Sequence, residues 1–225
     1  MRIALVDYGA GNLASVRKAF RAVGADVVVP AAPAELREAA ALVIPGVGHF
    51  AATAALGGDW RAAVLASVAS GRALLGICLG QHWLFEGSSE APELPGLGLL
   101  PGRCVRLDKI DVEPESHRAF GDPGSEDPGL HPTRPPKIPH VGWNEVVPLG
   151  PSELLAGLPD GAQAYFTHSY AAPVGPDTIA ATTHGAPFAS AVARGRVFGV
   201  QFHPEKSGDV GLAVLANFLR IAGRA

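Results

Sequence analysis

Cysteine is almost missing from this chain: Cys78 and Cys104 are the only two in 225 residues. Two thiols cannot build a disulfide framework or, by themselves, a zinc site. An excess of charge of one sign is missing as well. Eighteen basic residues face 21 acidic ones, for a formal charge of -3, so there is no basic field to wrap a phosphate backbone and nucleic acid is not an expected partner. Nothing in the balance favours an acidic or membrane surface either. No apolar stretch reaches the roughly 18 uninterrupted residues of a membrane span, because Arg72 and several Ser and Gly break the most apolar region. The first residues enter an apolar run without a basic n-region or cleavage site, which makes a reducing cytoplasm the expected location.

What is present is material for a core. Apolar residues make up 48% and charged ones only 17% of the sequence, and the mean hydropathy is positive. This length suits one α/β domain, expected over residues 1–225. Residues 2–7 are β-rich, and Leu13, Val16, Phe20 and Val23 then recur at helical spacing before Gly24, a natural C-cap. The alternation continues with a strand at 26–29, a short polar helix near 34–39, a strand at 41–44, a helix near 60–70 and a strand at 73–77. Such continuous apolar strands are covered on both faces, so we expect an open, mostly parallel sheet flanked by helices. The second half changes character. Short candidate strands at 103–107, 144–147, 163–167, 178–182, 188–193 and 197–202 carry turn signals between them, the last two joined in hairpin fashion, and a helix near 208–222 ends the pattern. These add antiparallel strands in the C-terminal half. Residues 110–137 do not fit: six prolines, three glycines and no sustained period lie between Ile110 and Lys137, a composition expected of a mobile surface insertion.

The sharpest chemical signal is Gly76-Ile77-Cys78-Leu79-Gly80, where an apolar strand meets a helix expected to be amphipathic through Trp83 and Leu84. A nucleophile on such an elbow needs small neighbours for the tight turn, and the helix N-terminus favours thiolate and can hold a developing oxyanion. A buried structural cysteine is the alternative. Cys104 has no glycine elbow and is read as structural. A thiol nucleophile wants a base and the base an orienting group. His203 and Glu205 offer both, since Pro204 biases His203 toward an extended backbone, in which residues two apart share a side. A surface turn is the alternative for that tripeptide alone. Pro45-Gly46-Val47-Gly48 follows a strand at the same carboxyl edge and is either a ligand-approach loop or a plain β-to-α turn. His117, His131 and His184 are read as solvated loop residues. No histidine pair has metal-ligand spacing with a carboxylate, and neither a metal nor a cofactor is expected.

Taken together, DYGAGNLASV (7–16), PGVGHF (45–50), GICLG (76–80), PHVGWNEV (139–146), YFTHSY (165–170) and GVQFHPEKS (199–207) make the sequence resemble the class I glutamine amidotransferases. Among these it is most similar to the glutaminase subunits of imidazole glycerol phosphate synthases of histidine biosynthesis. The resemblance implies a flavodoxin-like fold in which Cys78 attacks the carboxamide of glutamine, His203 relays the proton to the leaving ammonia and Glu205 orients His203. It implies an oxyanion hole from the N–H groups of Leu79 and, after a peptide reorientation, Val47. Glutamine would lie against Gly48, His82, Glu90, His168, Ser169 and Tyr170, with Glu90 taking the α-ammonium. The implied partner is a (β/α)8 barrel synthase that uses the ammonia to make imidazole glycerol phosphate and an aminoimidazole carboxamide ribotide, with Asn12 and Lys206 at the interface. One position departs from the family: His82 stands where a substrate-reading glutamine is usual, and Gln81 precedes it. An imidazole there is expected to titrate near its reference value of about 6.5. The rival readings are a binding module that has lost catalysis and a different amidotransferase, such as the glutaminase of vitamin B6 synthesis. The intact Cys78, His203 and Glu205 argue against the first, and the DYGAGN and HSY motifs against the second.

Overall fold

The computed structural model describes residues 1–110 and 137–224. The expected insertion therefore lies, apart from Ile110 and Lys137, outside the described residues. The first half alternates as the periodicity predicts: β1 (Arg2–Leu5), α1 (Leu13–Ala22), β2 (Asp26–Val28), a 3₁₀ segment (Pro33–Glu38), β3 (Ala41–Gly46), a second 3₁₀ segment (Phe50–Leu56), α2 (Asp59–Ala69), β4 (Ala73–Cys78) and α3 (Leu79–Leu84). The second half is built of β5 (Gly87–Ser88), β6 (Arg103–Arg106), β7 (His140–Glu145), β8 (Val147–Pro148), β9 (Gln163–His168), β10 (Tyr170–Ala171), β11 (Thr178–His184), β12 (Ala186–Arg194), β13 (Val197–Val200) and α4 (Gly208–Ala222).

Eight strands form the main sheet in the order β2-β1-β3-β4-β13-β12-β11-β8. The pairings from β2 through β13 are parallel, and those of β12, β11 and β8 are antiparallel. Alternate strand residues feed two apolar clusters, as strands covered on both faces must. Ile3, Leu5, Val43 and Leu75 point to the side of α1 and α4, where Phe20 meets Phe218 edge-on at 6.4 Å. Ala4, Leu42, Ile44 and Leu74 point to the side of α2 and α3, with Val64, Trp83 and Leu84. A three-stranded sheet β10-β6-β5 and the ribbon β7-β9 stand beside the carboxyl edge.

Three local expectations need correcting. The strand expected at 144–147 is two: β7 ends at Glu145, and β8 joins the main sheet beside β11. Val146, its N–H on Ala162 O, is the buried crossing point. α3 is not amphipathic, because all six of its residues are buried. It is sandwiched at the core, so no face is left for polar residues. His184 is not in a polar loop but ends β11, its ring stacked on His140 at 4.2 Å.

The approach of α3 to the sheet depends on two glycines. A Cβ on Gly80 would run into the backbone carbonyl of Ile44 in β3, and one on Gly76 would come within 2.5 Å of Gly80 O. Neither obstacle is a movable side chain. We therefore expect Gly80→Ala to cost about 2 to 3 kcal/mol, the scale of overpacking a rigid interior, read as a lower urea midpoint. An unchanged midpoint would show that the helix can lift off the sheet at no cost.

Candidate active site

Cys78 closes β4 and opens α3 with φ 53° and ψ -106°. It is the only non-glycine residue with positive φ among those described, a strained conformation that a chain retains where its surroundings impose it. Here the imposing contacts are those of Gly76 and Gly80. The ladder then brings in the second half of the site: β13 lies parallel to β4, with Gly199 opposite Gly76 and Val200 opposite Ile77. Gln201, Phe202 and His203 continue past the end of that ladder, beside Cys78.

His203 is almost completely buried and is fixed at both ends. Its backbone N–H donates to Tyr165 O at 2.9 Å, and its carbonyl accepts from Ser207 Oγ at 2.6 Å. Nδ1 lies 2.9 Å from Glu205 Oε1, and since a carboxylate only accepts, Nδ1 carries the hydrogen. Nε2 is buried with no partner besides the Cys78 sulfur. Burial on its own would lower the proton affinity of this ring. The charge and hydrogen bond of Cys78, and then those of Glu205, outweigh burial and carry it up to about 10. This arrangement can hold a thiolate–imidazolium pair and pass a proton between the sulfur and a bound group. Cys104 is fully buried on β6, where burial pushes its thiol up, helped by the Glu90 charge.

A cleft of about 40 Å³ opens at Cys78, lined by Gly48, Leu79, His82, Glu90, Thr167, His168, Ser169 and Tyr170. The structure thus gathers every residue named from the sequence as a glutamine contact and adds Thr167. One oxygen of Glu90 accepts from Phe50 N–H at 2.7 Å. A larger hollow, about 680 Å³, lies between the first 3₁₀ segment and α2, lined by alanines, Pro33 and Leu36 together with Ser67, Ser70, Arg37, Asp59 and Arg72. Its hydroxyls, Ser67 and Ser70, are both spent on backbone carbonyls, and no cysteine or histidine lines it, whereas the small cleft sets Cys78 among histidines.

Val47 directly follows Gly46, which pairs with Cys78 across β3 and β4. Its N–H is not turned to the cleft: it donates to Ala10 O at 3.1 Å. The peptide that carries this N–H turns on the ψ of Gly46 and the φ of Val47, and Gly46 has no Cβ to oppose the turn; Gly48 follows at φ 95°. Gly46 itself has no room for a side chain, because a Cβ would strike the Tyr8 hydroxyl. Asn12 caps α1, its Oδ1 accepting from Ser15 N–H at 3.2 Å. Lys206 is exposed, with Nζ 5.5 Å from the centre of the Tyr165 ring.

His82 differs most from its expectation. It is 4% exposed, and its Nε2 lies 2.7 Å from Gln201 Oε1. Burial lowers its proton affinity to about 4, against weaker opposing hydrogen bonds to Gln201 and Tyr170. The ring is therefore neutral where the sequence reading expected it to titrate. Gln81 turns away from the cleft, donating to Ala189 O at 3.1 Å.

Sequence reading missed a relay behind the cleft. His168 Nδ1 lies 2.9 Å from Tyr170 O and must donate to it, leaving Nε2 to accept from His140 Nδ1 at 3.0 Å. His140 Nε2 then accepts from Asn144 Nδ2 at 3.2 Å, while the same amide donates to Thr183 O. Burial, aided by neighbouring imidazoles, lowers both His140 and His168, so the relay is uncharged. The available signal was the period of two in HVGWNE, which puts His140, Gly142 and Asn144 on one face. The other face carries Val141 and Trp143, both more than half exposed although apolar.

Comparison with known proteins bears on the whole arrangement. The family model described as "Glutamine amidotransferase class-I" matches residues 4–222. The imidazole glycerol phosphate synthase subunit HisH of Deinococcus radiodurans is 45% identical, covering 97% of this chain and 93% of its own. HisH of Methanothermobacter thermautotrophicus is 40% identical, covering 97% and 98%. Among solved structures, a protein described as a glutamine amidotransferase superimposes with a TM-score of 0.68 at 21% identity, over 98% of both chains. PurLQS from Thermotoga maritima gives 0.67 at 15% identity, again over 98% of both. These structural likenesses speak to the fold.

The electrostatics of His203 set a measurable pH behaviour. Its folded value lies above the ordinary 6.5, so the native chain keeps a proton that the unfolded chain releases between 6.5 and about 10. This contribution to stability is complete below 6.5 and is lost as pH rises through about 10. Removing the sulfur removes the two leading upward causes. In Cys78→Ala the His203 ring, followed by NMR, should titrate more than one pH unit lower than in the unaltered chain; an unmoved value would mean that Glu205 alone holds the proton. The neutral His82 carries a second expectation. Replacing it by Gln should leave the pH profile of glutamine affinity unchanged between about pH 5 and 8, and a lost step near 6.5 would contradict its burial.

Proposed function

The chain belongs to the class-I glutamine amidotransferases and, within them, to the HisH subunits of imidazole glycerol phosphate synthase. On that footing we propose that Cys78, His203 and Glu205 hydrolyse glutamine in the 40 Å³ cleft and that the ammonia passes to a (β/α)8 barrel synthase subunit in the cytoplasm. The observation that carries this reading is the strained Cys78, set against a His203 whose other nitrogen is bound to Glu205.

The chemistry follows from the geometry. His203 takes the Cys78 proton, and the sulfur attacks the carboxamide carbon of glutamine. The resulting oxyanion falls to the N–H of Leu79 and, once its peptide turns over, that of Val47. His203 Nε2–H protonates the departing nitrogen, the C–N bond breaks, and ammonia leaves a thioester. His203 then accepts a proton from water as the water attacks the thioester, and glutamate departs with the thiol restored. Glu90, with one carboxylate oxygen on Phe50 N–H, has the other for the substrate's α-ammonium.

Magnitudes decide how the Val47 loop behaves. Releasing its N–H from Ala10 O costs about 1 kcal/mol, the net worth of a neutral hydrogen bond. An oxyanion donor gained is worth about 3 to 4 kcal/mol, but only in the transition state. The free glutaminase chain therefore rests with the hole incomplete, and a partner that favours the turned peptide raises turnover. Val141 and Trp143 form the exposed apolar face, Trp143 meets Tyr165 edge-on at 6.2 Å, and Lys206 lies over Tyr165. Tyr165 O holds the His203 backbone, so a partner seated there touches the neighbourhood of the triad. We assign this surface, with Asn12 and Lys206, to the synthase partner.

Glutamate release should rise by orders of magnitude when the barrel partner and its nucleotide are added. Cys78→Ala should abolish release, a loss of 10³-fold or more on the order seen for unit nucleophiles, while Cys104→Ala retains it. Equal turnover with and without the partner, or inactivity of Cys104→Ala instead, would overturn the assignment. Trp143→Ala should weaken the complex by about 2 kcal/mol, the scale of a buried aromatic anchor, read by titration calorimetry.

A further inference from the structure

Gln201 is completely buried at the end of β13, where the β4 ladder places it beside Cys78. Its side chain makes two contacts. Oε1 meets His82 Nε2 at 2.7 Å, and Nε2 donates to Cys78 Sγ at 3.6 Å. A carbonyl oxygen only accepts, so His82 carries its hydrogen on Nε2, and the hydrogens of the Gln201 amide are left facing the sulfur. Without His82 the amide could turn over and present its oxygen to the thiolate, exchanging attraction for repulsion.

We propose that Gln201 is a further catalytic residue, an N–H donor to the Cys78 thiolate, and that His82 is the positioning residue that fixes the direction of its amide. This gives the histidine at the family's glutamine position a task of its own. It supports the nucleophile from behind, in a series His82 to Gln201 to Cys78 buried throughout. The burial that keeps His82 neutral also suits the task, because a neutral ring with one N–H fixes the amide without adding charge beside the thiolate–imidazolium pair. Its Nδ1 faces the Tyr170 backbone without a partner at hydrogen-bond geometry, so the close hydrogen bond of the ring is the one to Gln201. The inference rests on the reading of Cys78 as the nucleophile and concerns which groups donate to its sulfur.

The test reads the sulfur directly, without glutamine. In the full chain carrying Cys104→Ala, the pH dependence of alkylation by iodoacetamide reports the ionisation of Cys78 in the field of His203, Tyr8, Glu90 and His82. Its value belongs to the coupled Cys78–His203 pair. Gln201→Met should raise the apparent value by about one pH unit, a tenfold loss of reactive thiolate at neutral pH. His82→Phe should raise it by a smaller amount. The double variant should match Gln201→Met alone, because His82 acts through the amide that is no longer there. An unchanged value in Gln201→Met, or effects that add in full in the double variant, would overturn the proposal. A measurement on the unsubstituted amide guards against misfolded variants: the Gln201 side-chain NH₂ resonance should shift with the same apparent value as the alkylation. A resonance flat across that range would equally overturn it. Failure of glutamine hydrolysis in the unaltered complex would instead strike at the substrate reading and leave these alkylation results standing.

Discussion

The contact on which the rest of the site depends is backbone against backbone: α3 presses onto β3 and β4 at Gly80 and Gly76, with no side chain between. Because the helix starts so close to the sheet, the chain has to turn within one residue, and that residue is Cys78 at positive φ. The strain localises at the residue proposed as the nucleophile, and close packing around it sustains it. Gly46 opposite Cys78 on one side and Val200 opposite Ile77 on the other then fix what can reach the sulfur. The Val47 loop comes from one neighbouring strand, and Gln201 and His203 follow the other.

A buried site of this kind must hold polar groups without water, and this one holds most of them by two different means, leaving atoms such as His82 Nδ1 and Glu205 Oε2 without a partner. Around the sulfur it uses charge: His203 is held up to about 10 by Cys78 and Glu205 against the pull of burial. Around the cleft wall it uses neutral imidazoles: burial keeps His82, His140 and His168 unprotonated, and the donors and acceptors of His140 and His168 alternate in one direction. An imidazole with one donor and one acceptor propagates an orientation from one element to the next. From Asn144 on β7 to the carbonyl of Tyr170 on β10, no choice of tautomer remains open.

Much of this was legible in the sequence, and what was not has a physical cause. The parallel strands showed as continuous apolar runs because both their faces are covered, and the elbow showed because only glycines permit its contacts. The Cys78, His203 and Glu205 constellation could be assembled from local spacing and motif, although the parallel pairing that joins its halves spans most of the chain. The same reading failed on α3, where Trp83 and Leu84 suggested one apolar face while the helix is enclosed on every side. It failed on His184, whose polar neighbours in sequence are not its neighbours in space. The contacts of Gln201 carried no pattern, and those of His140 left only the period of two in HVGWNE, since a hydrogen-bond partner across a sheet has no fixed separation along the chain. His82 stood out as a departure, but its neutral state depends on burial, which only the fold supplies.

The place of β13 has a consequence for how the molecule comes into being. The strand sits inside the main sheet, between β4 and β12, yet it comes last in sequence among the strands of the described residues. A ribosome releasing residues in order exposes β4 and Cys78 long before Val197–Val200, an interval on the order of ten seconds at ordinary rates of synthesis. Through that interval the sulfur has neither Gln201 nor His203 beside it, and the growing sheet has an open edge where β13 will enter. The thiol thus meets His203 only when β13 zips into the middle of a nearly finished sheet, so a chain ended before it would leave Cys78 without either neighbour.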